Sequence, residues 1–264
     1  MTNFSAKDIQ ALRRSAGVGM LDAKRALEES DGDFESASQW LRVNGLAGAA
    51  KREDREASQG AVALATSEGA VAIVELRCET DFVAKAEEFV ALVNDLATLV
   101  ASKGEGSISE LQDEVDRLRT VLKENISIGR VIRLESQSGE EIGSYLHQQA
   151  GRGVNAVAIV VASGSESLAH DLAVHAAFTK PLYLRREDVP EEEVLAERRL
   201  VEELSRNEGK PEASLAKVVE GRMNGWFKER CLLEQSYVKD EKKTVTELLG
   251  TASIVGYAQV IVGS

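Results

Sequence analysis

The sequence has 264 residues and a formal net charge of −12, so it has no overall electrostatic attraction for phosphate backbones. Aromatic residues make up 5% of it and are not interleaved with lysine or arginine, which argues against a stacking platform for single-stranded nucleic acid. No segment approaches the roughly 18 apolar residues of a membrane span, and the first residues, MTNFSAKDIQ, lack the pattern of a secretory signal, so we expect a soluble, cytoplasmic protein without direct contact to nucleic acid or membrane.

The first part of the sequence predicts three short helices. Ser5 is a suitable N-cap for the first helix, the second begins near Met20, and Asp33 can cap the third. The GVG stretch at 17–19 is expected to separate the first two helices, because glycine in the interior of a helix destabilises it. The charged segment LAGAAKREDREASQG, residues 46–60, is expected to be a linker or a solvated helix.

An internal repeat follows, in which the pentapeptide AVAIV occurs at 70–74 and again at 156–160. Each copy follows a glycine-containing turn and precedes a helical pattern, and the turns are expected near 67–69 and 151–155. A helix near Val245–Leu249 and a last strand, SIVGYAQVIV, which we place in the second sheet, close the sequence. Because hairpins favour antiparallel sheets with helices on one face, the predicted class is α+β.

Residues 187–222 are densely charged and predict a helical hairpin that breaks near Gly209–Pro211. Its apolar positions form narrow seams on the two helices: Val194, Val201, Leu204, Leu215, Val218 and Val219. Such seams bury little surface alone, which favours an antiparallel coiled coil projecting from the body of the protein. An ordinary amphipathic helix pair packed on the core fits the same pattern, so both arrangements stay open.

These segments divide the protein into units, each long enough to have its own core. Residues 1–54 are the three-helix domain, residues 55–139 the first half of the core, and residues 140–264 the second half, with the helical hairpin inserted at about 187–222. We therefore expect a three-helix domain followed by two related halves, each an antiparallel sheet with helices.

The segment RCETDFVAKAEEF, residues 77–89, predicts a strand that runs into a helix. Thr80 can cap this helix, and Asp81 places a carboxylate in its first turn, where the helix dipole favours negative charge. The apolar stripe from Val83 to Val100 then predicts one continuous helix. Phe82 lies on the flank of that stripe, so either it belongs to a broad buried face or it is presented to a partner at the helix tip.

Candidate catalytic and metal-binding residues are few. The three histidines are His147, His170 and His175, and the last two are five residues apart, which does not suit a metal pair on one helix face. Cys78 precedes a helix start, where a thiol can become nucleophilic, but no base is identifiable and a small buried side chain is favoured. Cys231 is distant from Cys78, so no disulfide is expected. We expect no metal, no other cofactor and no enzyme acting on a small-molecule substrate.

Five stretches form an ordered set: LRRSAGVGMLDAKRAL (12–27), ELRCETDFVAK (75–85), KENI (123–126), HAAFTKPLYL (175–184) and EGRMNGWFKERCLLEQSYV (220–238). The first is similar to the N-terminal signature of the bacterial elongation factor Ts family, and the second, around TDFV, is similar to that family's second signature. The other three stretches and the AVAIV repeat fit in the same order. The sequence therefore resembles this family over essentially its whole length.

Four positions depart from the family's usual residues. Ala16 stands where threonine is usual, Ala23 where cysteine is usual, and Arg77 where asparagine is usual. Gly129 stands where a basic residue is common.

The resemblance implies a function as guanine-nucleotide exchange factor of elongation factor Tu. In the family, the TDFV turn enters the GTPase domain of elongation factor Tu beside its magnesium site, helps to dislodge the ion and loosens GDP. Carried over to this sequence, the turn comprises Thr80, Asp81, Phe82 and Val83. Phe82 is then the wedge and Asp81 its polar partner.

The resemblance also implies wider contacts with the same partner. The N-terminal domain is expected to be ubiquitin-associated-like and to dock on the GTPase domain through Leu12, Arg13 and Met20. The second half of the core, with His147, is expected to face another domain of elongation factor Tu. Two other functions stay open beside exchange, namely a passive helical binding module and a thiol enzyme that uses Cys78.

Overall fold

The computed structural model of the protein describes residues 3–50 and 54–264. Its first helices are α1 (Ala6–Ala16), α2 (Met20–Glu29) and α3 (Phe34–Ala50). Ser5 caps α1 as predicted, since its hydroxyl accepts a hydrogen bond from a backbone N–H in the first turn. Gly17 ends α1 in the left-handed conformation, with φ of 64°. The predicted arrangement of three N-terminal helices is confirmed.

The N-terminal helices bury a small apolar core of their own. Its buried members are Leu12, Ala23, Ala26, Leu27, Ala37 and Leu41. The alanines among them allow the helix backbones to approach one another closely. The charged segment predicted at 46–60 is helical at its start, because α3 continues to Ala50, and its residues 51–53 lie outside the described residues.

The first half of the core combines a sheet with helices. Its elements are β1 (Gln59–Ser67), β2 (Ala70–Cys78), α4 (Asp81–Ala84), α5 (Glu87–Lys103), α6 (Gln112–Leu122) and β3 (Ser127–Glu135). The strands form an antiparallel sheet in the order β1-β2-β3. Ser67 pairs with Ala70, so the turn of the first hairpin lies where the sequence predicts it.

The second half repeats this plan and adds a helical hairpin. Its elements are β4 (Glu140–Gln149), β5 (Arg152–Ala162), α7 (Glu166–Thr179), α8 (Glu191–Asn207), α9 (Glu212–Arg230), β6 (Ser236–Tyr237), β7 (Asp240–Thr244), α10 (Val245–Leu249) and β8 (Ser253–Ile261). The main antiparallel sheet has the order β4-β5-β8, and β6 pairs with β7. The predicted last strand therefore joins the second sheet, as expected.

The turn of the second hairpin is shorter than predicted. It consists of Ala150 and Gly151, which both have positive φ, at 52° and 81°. Such consecutive left-handed residues match the twist of a tight hairpin, so no longer loop is needed. Asn155, which the sequence placed in the turn, already lies in β5 opposite His147.

The two sheets pack face to face, with helices on their outer faces. One apolar cluster lies between the sheets, a second between the first sheet and α5 and α6, and a third between the second sheet, α7 and α10. This layering explains the near-continuous apolar character of β2 and β5, since both faces of these strands are covered. The protein is α+β.

The two copies of AVAIV point in opposite directions. In β2, Val71 and Ile73 lie in the cluster between the sheets, whereas in β5 the same cluster contains Ala156 and Ala158. The larger Val157 and Ile159 of β5 instead pack beneath α7. Successive side chains of a strand point to opposite faces, so one pentapeptide can present its large side chains to either layer. Large residues of one sheet thereby meet small residues of the other.

The helical hairpin is longer and its seam differs from the prediction. The turn holds Gly209 with φ of 75°, and α9 continues beyond the predicted end at residue 222 to Arg230. Leu204 is exposed rather than in the seam, where Ser205 is buried and donates its hydroxyl to the Val201 carbonyl at 2.7 Å. The buried seam residues are Val201, Leu215, Val219, Met223, Trp226 and Phe227.

Candidate functional site

The predicted insertion turn lies at the end of β2, where Thr80 organises the backbone. The Thr80 hydroxyl accepts a hydrogen bond from the Val83 N–H at 3.3 Å and donates to the Glu124 carboxylate at 2.5 Å. Its carbonyl accepts from the Ala84 N–H at 3.2 Å and from the Cys78 thiol at 3.2 Å. Thr80 is thus the N-cap of α4, as predicted.

The single helix predicted from Thr80 through Val100 is wrong, because the chain breaks between α4 and α5. Ala86 has extended backbone angles and caps a new helix. Glu87 and Glu88 lie in the first turn of α5, where the helix dipole favours carboxylates. Their charges therefore favour a new helix that begins at this point. α4 therefore stands as a separate short turn of helix.

Phe82 is not part of the core. Its side chain is 83% exposed, whereas Phe89, seven residues further along the chain, is fully buried. The neighbours of Phe82 anchor the turn instead, since Ala84 is buried and Val83 packs against the core of the first half. Of the two placements that the sequence left open, the structure has the exposed one. A large apolar side chain presented to water on a short held turn is typical of a contact residue.

Asp81 lies beside Phe82 with its side chain 46% exposed, and it carries a negative charge. The Lys85 ammonium donates to its carboxylate at 2.5 Å. This hydrogen bond is the main cause that lowers the pKa of Asp81 from its usual value, and the charge of Arg152 acts in the same direction. The turn therefore presents an apolar ring and an ionised carboxylate side by side.

Cys78 lies beneath the turn and is buried. Burial, with the charge of Glu124 as a second cause, raises the pKa of its thiol to about 12. A thiol with this pKa is almost entirely protonated at neutral pH and is a poor nucleophile. Its hydrogen bond to the Thr80 carbonyl gives it a structural role at the base of the turn.

The predicted docking residues of the N-terminal helices separate into buried and exposed ones. Leu12 is fully buried in the core of the three helices, so the expectation that it contacts a partner is not carried further. Arg13 is exposed, and Met20, at the start of α2, is 48% exposed. Leu21, which sequence reasoning missed, is 80% exposed. Its signal was its place outside the buried stripe that begins at Ala23.

His147 lies on β4, far along the chain from the turn, and lines an open cleft of about 970 Å³. The strand pairing shifts between His147 and Gln148, and such a bulge re-aims a side chain. Arg152 and Lys180 also line the cleft, and its described lining residues include no carboxylate. Phe178, at the end of α7, is 77% exposed beside it and was also missed by sequence reasoning.

The cleft and the turn are neighbours. Arg152 lines the cleft and donates hydrogen bonds to the Gly60 carbonyl and to the Gln59 side chain. Gln59 in turn pairs with Cys78 in the first sheet. Arg152 therefore joins the cleft that His147 lines to the strands that lead into the turn.

Two of the four departures compensate for each other. Arg77 donates a hydrogen bond to the buried Glu75 carboxylate at 2.9 Å. A Cβ atom at position 129 would lie 2.5 Å from that carboxylate and 2.9 Å from Nε of Arg77, so Gly129 leaves the room that Arg77 occupies. Burial alone would raise the pKa of Glu75, but hydrogen bonds from Arg130 and Arg77 outweigh it and lower that pKa.

The other two departures lie in the N-terminal helices. Ala23 is buried in their core, and Ala16 packs against it. Both are small apolar residues in positions that the core covers.

Two further properties concern the described residues as a whole. Among residues 3–50 and 54–264, no group of three or more His, Cys, Asp or Glu side chains is arranged to hold a metal ion. Within the same ranges, no helix combines the length and the apolar character that crossing a membrane requires.

Comparison with known proteins identifies the family. The sequence model of the family described as Elongation factor TS matches residues 79–264. Elongation factor Ts of Kineococcus radiotolerans is 45% identical over 266 residues, which cover 96% of each chain. The proteins of the same name from Clavibacter michiganensis subsp. michiganensis and Micrococcus luteus are 44% and 42% identical, and each match covers 100% of both chains. The chain therefore belongs to the elongation factor Ts family of translation elongation factors.

Proposed function

We propose that this protein binds the GDP form of elongation factor Tu and promotes GDP release, acting as a guanine-nucleotide exchange factor without covalent chemistry. The observation that carries this proposal is the placement of Phe82, whose side chain is 83% exposed. The turn that presents it is held by the hydrogen bonds of Thr80 with Glu124 and with the Val83 N–H. Burying such a side chain in a partner is favourable by about 1.5–3 kcal/mol. An isolated protein gains nothing from presenting it to water.

In the proposed mechanism, the turn from Thr80 to Val83 enters the GTPase domain beside the magnesium site of elongation factor Tu. Phe82 is the wedge that opens this region. Asp81, ionised because its pKa is lowered by Lys85, supplies a carboxylate next to the wedge. Displacing that ion would weaken the partner's hold on GDP, and the factor stabilises the nucleotide-free state until GTP binds.

The wedge cannot account for the whole effect. Accelerating release about 10,000-fold requires roughly 5.5 kcal/mol of preference for the loosened state, and one phenylalanine supplies only about 1.5–3 kcal/mol. We propose that the exposed residues Arg13, Met20 and Leu21 dock on the GTPase domain and that the cleft around His147 contacts another domain of the same partner. Contacts spread over several surfaces are needed to reach the required preference.

The same reasoning fixes the thermodynamics of the complex. An exchange factor must bind the nucleotide-free partner more tightly than the nucleotide-bound one. By linkage, nucleotide must weaken the binding of the factor by the same ratio. GTP, as well as GDP, is therefore expected to release the factor from elongation factor Tu.

We also propose the organisation in which these surfaces are presented. Residues 1–54, 55–139 and 140–264 are the three units, which is supported by separate apolar clusters in the N-terminal helices and in each half of the core. The N-terminal unit is ubiquitin-associated-like, and α8 with α9 forms an antiparallel coiled coil, which is supported by the narrow buried seam between them. We propose the cytoplasm as the place of action.

The test is the release of fluorescently labelled GDP from elongation factor Tu, with and without this protein. We expect faster release that rises with factor concentration and then saturates. Unchanged release at concentrations where the two proteins form a complex would refute the exchange function and leave a passive binding module. No observation favours a thiol enzyme, because Cys78 is buried and its pKa is raised to about 12.

A further inference from the structure

The carboxylate of Glu124 holds the turn that carries Phe82. It lies between α6 and β3 and accepts three hydrogen bonds from a segment 44–45 residues away. The Glu79 N–H and the Thr80 N–H donate to its Oε2 atom at 3.0 and 3.1 Å. The Thr80 hydroxyl donates to Oε1 at 2.5 Å. A charged acceptor makes each of these bonds stronger than a neutral pair.

The hold is reciprocal. Glu79 accepts a hydrogen bond from the Asn125 N–H at 2.7 Å, so each segment supplies a glutamate to the backbone of the other. The Asn125 side chain donates to the Arg55 carbonyl at 2.7 Å, and Arg55 forms an ion pair with Glu79 at 3.5 Å. Lys123 ends α6 in the left-handed conformation and so directs Glu124 toward the turn. Residues 79–80 and 124–125 therefore hold each other by hydrogen bonds in both directions, and we call this set of contacts the clasp.

The clasp matters because α4 is too short to hold its own shape. A helix of four residues lies far below the length at which helices are stable alone. By donating to Glu124, the Thr80 hydroxyl leaves its lone pairs free to accept the Val83 N–H, which fixes the first turn. Phe82 lies within that turn and, being exposed, has little packing of its own to set its direction.

We propose that Glu124 is a positioning residue for nucleotide exchange, which pre-organises the turn so that Phe82 enters the partner without first being ordered. This inference rests on the proposed function of Phe82. Ordering a loop on binding costs free energy that is subtracted from the interaction, and a residue that pre-orders the loop removes that cost. Glu124 acts through Thr80 and the turn, and it is not itself a contact to the partner.

The test compares Glu124→Ala and Glu124→Gln in the full-length protein, using labelled-GDP release from elongation factor Tu. Glu124→Ala is expected to lower the rate of GDP release at a saturating concentration of this protein about tenfold. A tenfold loss corresponds to the net contribution of one charge-assisted hydrogen bond. Glu124→Gln keeps an oxygen for the two backbone donors and is expected to recover part of the rate. The matched control is Glu247→Ala, because Glu247 accepts from the Thr244 N–H and hydroxyl in a capping box at α10. It is expected to leave exchange unchanged.

A double-mutant cycle with Phe82→Ala separates positioning from general damage. If Glu124 acts only through Phe82, adding Glu124→Ala to Phe82→Ala causes no further loss. Additive losses in the double variant would overturn the inference, as would an equal loss in Glu247→Ala. If Glu124→Ala does not fold by circular dichroism, Thr80→Val replaces it in the cycle, with Thr80→Ser as the rescue, and the same two outcomes decide.

The failure of this inference differs from the failure of the proposed function. Normal exchange in Phe82→Ala would overturn the wedge and, with it, the positioning role. Normal exchange in Glu124→Ala beside a defective Phe82→Ala would overturn the positioning role alone.

Discussion

Replacing Phe82 by alanine tests the wedge, because the structure predicts a small effect on folding stability and a large effect on nucleotide exchange. The side chain is 83% exposed, so its removal should change the free energy of unfolding by less than about 0.5 kcal/mol. If the ring is buried only in the loosened complex, its loss should raise the exchange barrier by about 1.5–3 kcal/mol. That range corresponds to about a 10- to 150-fold slower release of GDP at saturating factor.

The matched control is Phe89→Ala, seven residues further along the chain. Phe89 is fully buried in the core of the first half, so its truncation should cost about 3–5 kcal/mol of unfolding free energy. Its exchange rate per folded molecule should stay near that of the unaltered protein. Urea unfolding gives the stabilities, and stopped-flow release of labelled GDP gives the rates.

Two results would refute the reasoning on Phe82. One is a strongly destabilised Phe82→Ala protein with normal exchange per folded molecule, which would place the ring in the core. The other is a stable Phe82→Ala protein whose exchange at saturation is unchanged.

The remaining predictions concern the thiol, the carboxylate, the N-terminal helices and pH. Cys78→Ser should leave exchange per folded molecule nearly intact, because the buried thiol is protonated and only supports the turn. Asp81→Ala should slow GDP release less than Phe82→Ala does, with little change in the urea midpoint, because its carboxylate is exposed. Deletion of residues 1–54 should weaken binding to elongation factor Tu, measured by calorimetry, while the rest keeps a cooperative thermal transition. His175 is buried, which lowers its pKa below the usual 6.5. Its contribution to stability should therefore be complete above about pH 6.5 and be lost as the pH falls below that value, so the urea midpoint should drop from pH 7.5 to 5.5, and less so in His175→Gln.

Each of these predictions can fail in a specific way. Loss of exchange without unfolding in Cys78→Ser would support the hypothesis of a thiol enzyme that uses Cys78. An Asp81→Ala defect larger than that of Phe82→Ala would make the carboxylate the main element of the turn. A deletion of residues 1–54 that abolishes the thermal transition would show that the proposed boundary is wrong. An equal pH dependence in His175→Gln would assign it to other groups.

Features set by neighbouring residues were predictable from the sequence. The Ser5 and Thr80 caps and the turn between β1 and β2 depend on side chains within a few positions of the backbone that they hold, and all three are present. The strand repeat was predictable because the same pentapeptide, AVAIV, occurs twice in the sequence. Its orientation was not, because the face that Val71 or Val157 presents depends on the layers above and below the strand.

The parts of the candidate site that were missed depend on the tertiary structure. The break before α5 is an exception, because Glu87 and Glu88 are a local signal for a new first turn that the prediction of one continuous apolar helix passed over. Leu12 has the same apolar character as Leu21, and only the packing of the three helices separates the buried residue from the exposed one. Glu124 carried no local signal, since the backbone that it holds lies 44–45 residues away.

Under the proposed function, the surfaces of this protein must contribute in different ways. A contact that is made equally with the GDP-bound and nucleotide-free partner increases affinity but does not speed release, because it favours both states alike. Met20 and Leu21 lie at the start of α2, which the ion pair between Asp22 and Lys123 at 2.7 Å joins to the segment that holds the turn. A contact speeds release only when it is stronger with the open, nucleotide-free partner than with the GDP-bound one. Under the proposed function, the turn held by Glu124 supplies the contribution of Phe82, about 1.5–3 kcal/mol, and the rest of the preference for the nucleotide-free partner comes from contacts at the other surfaces.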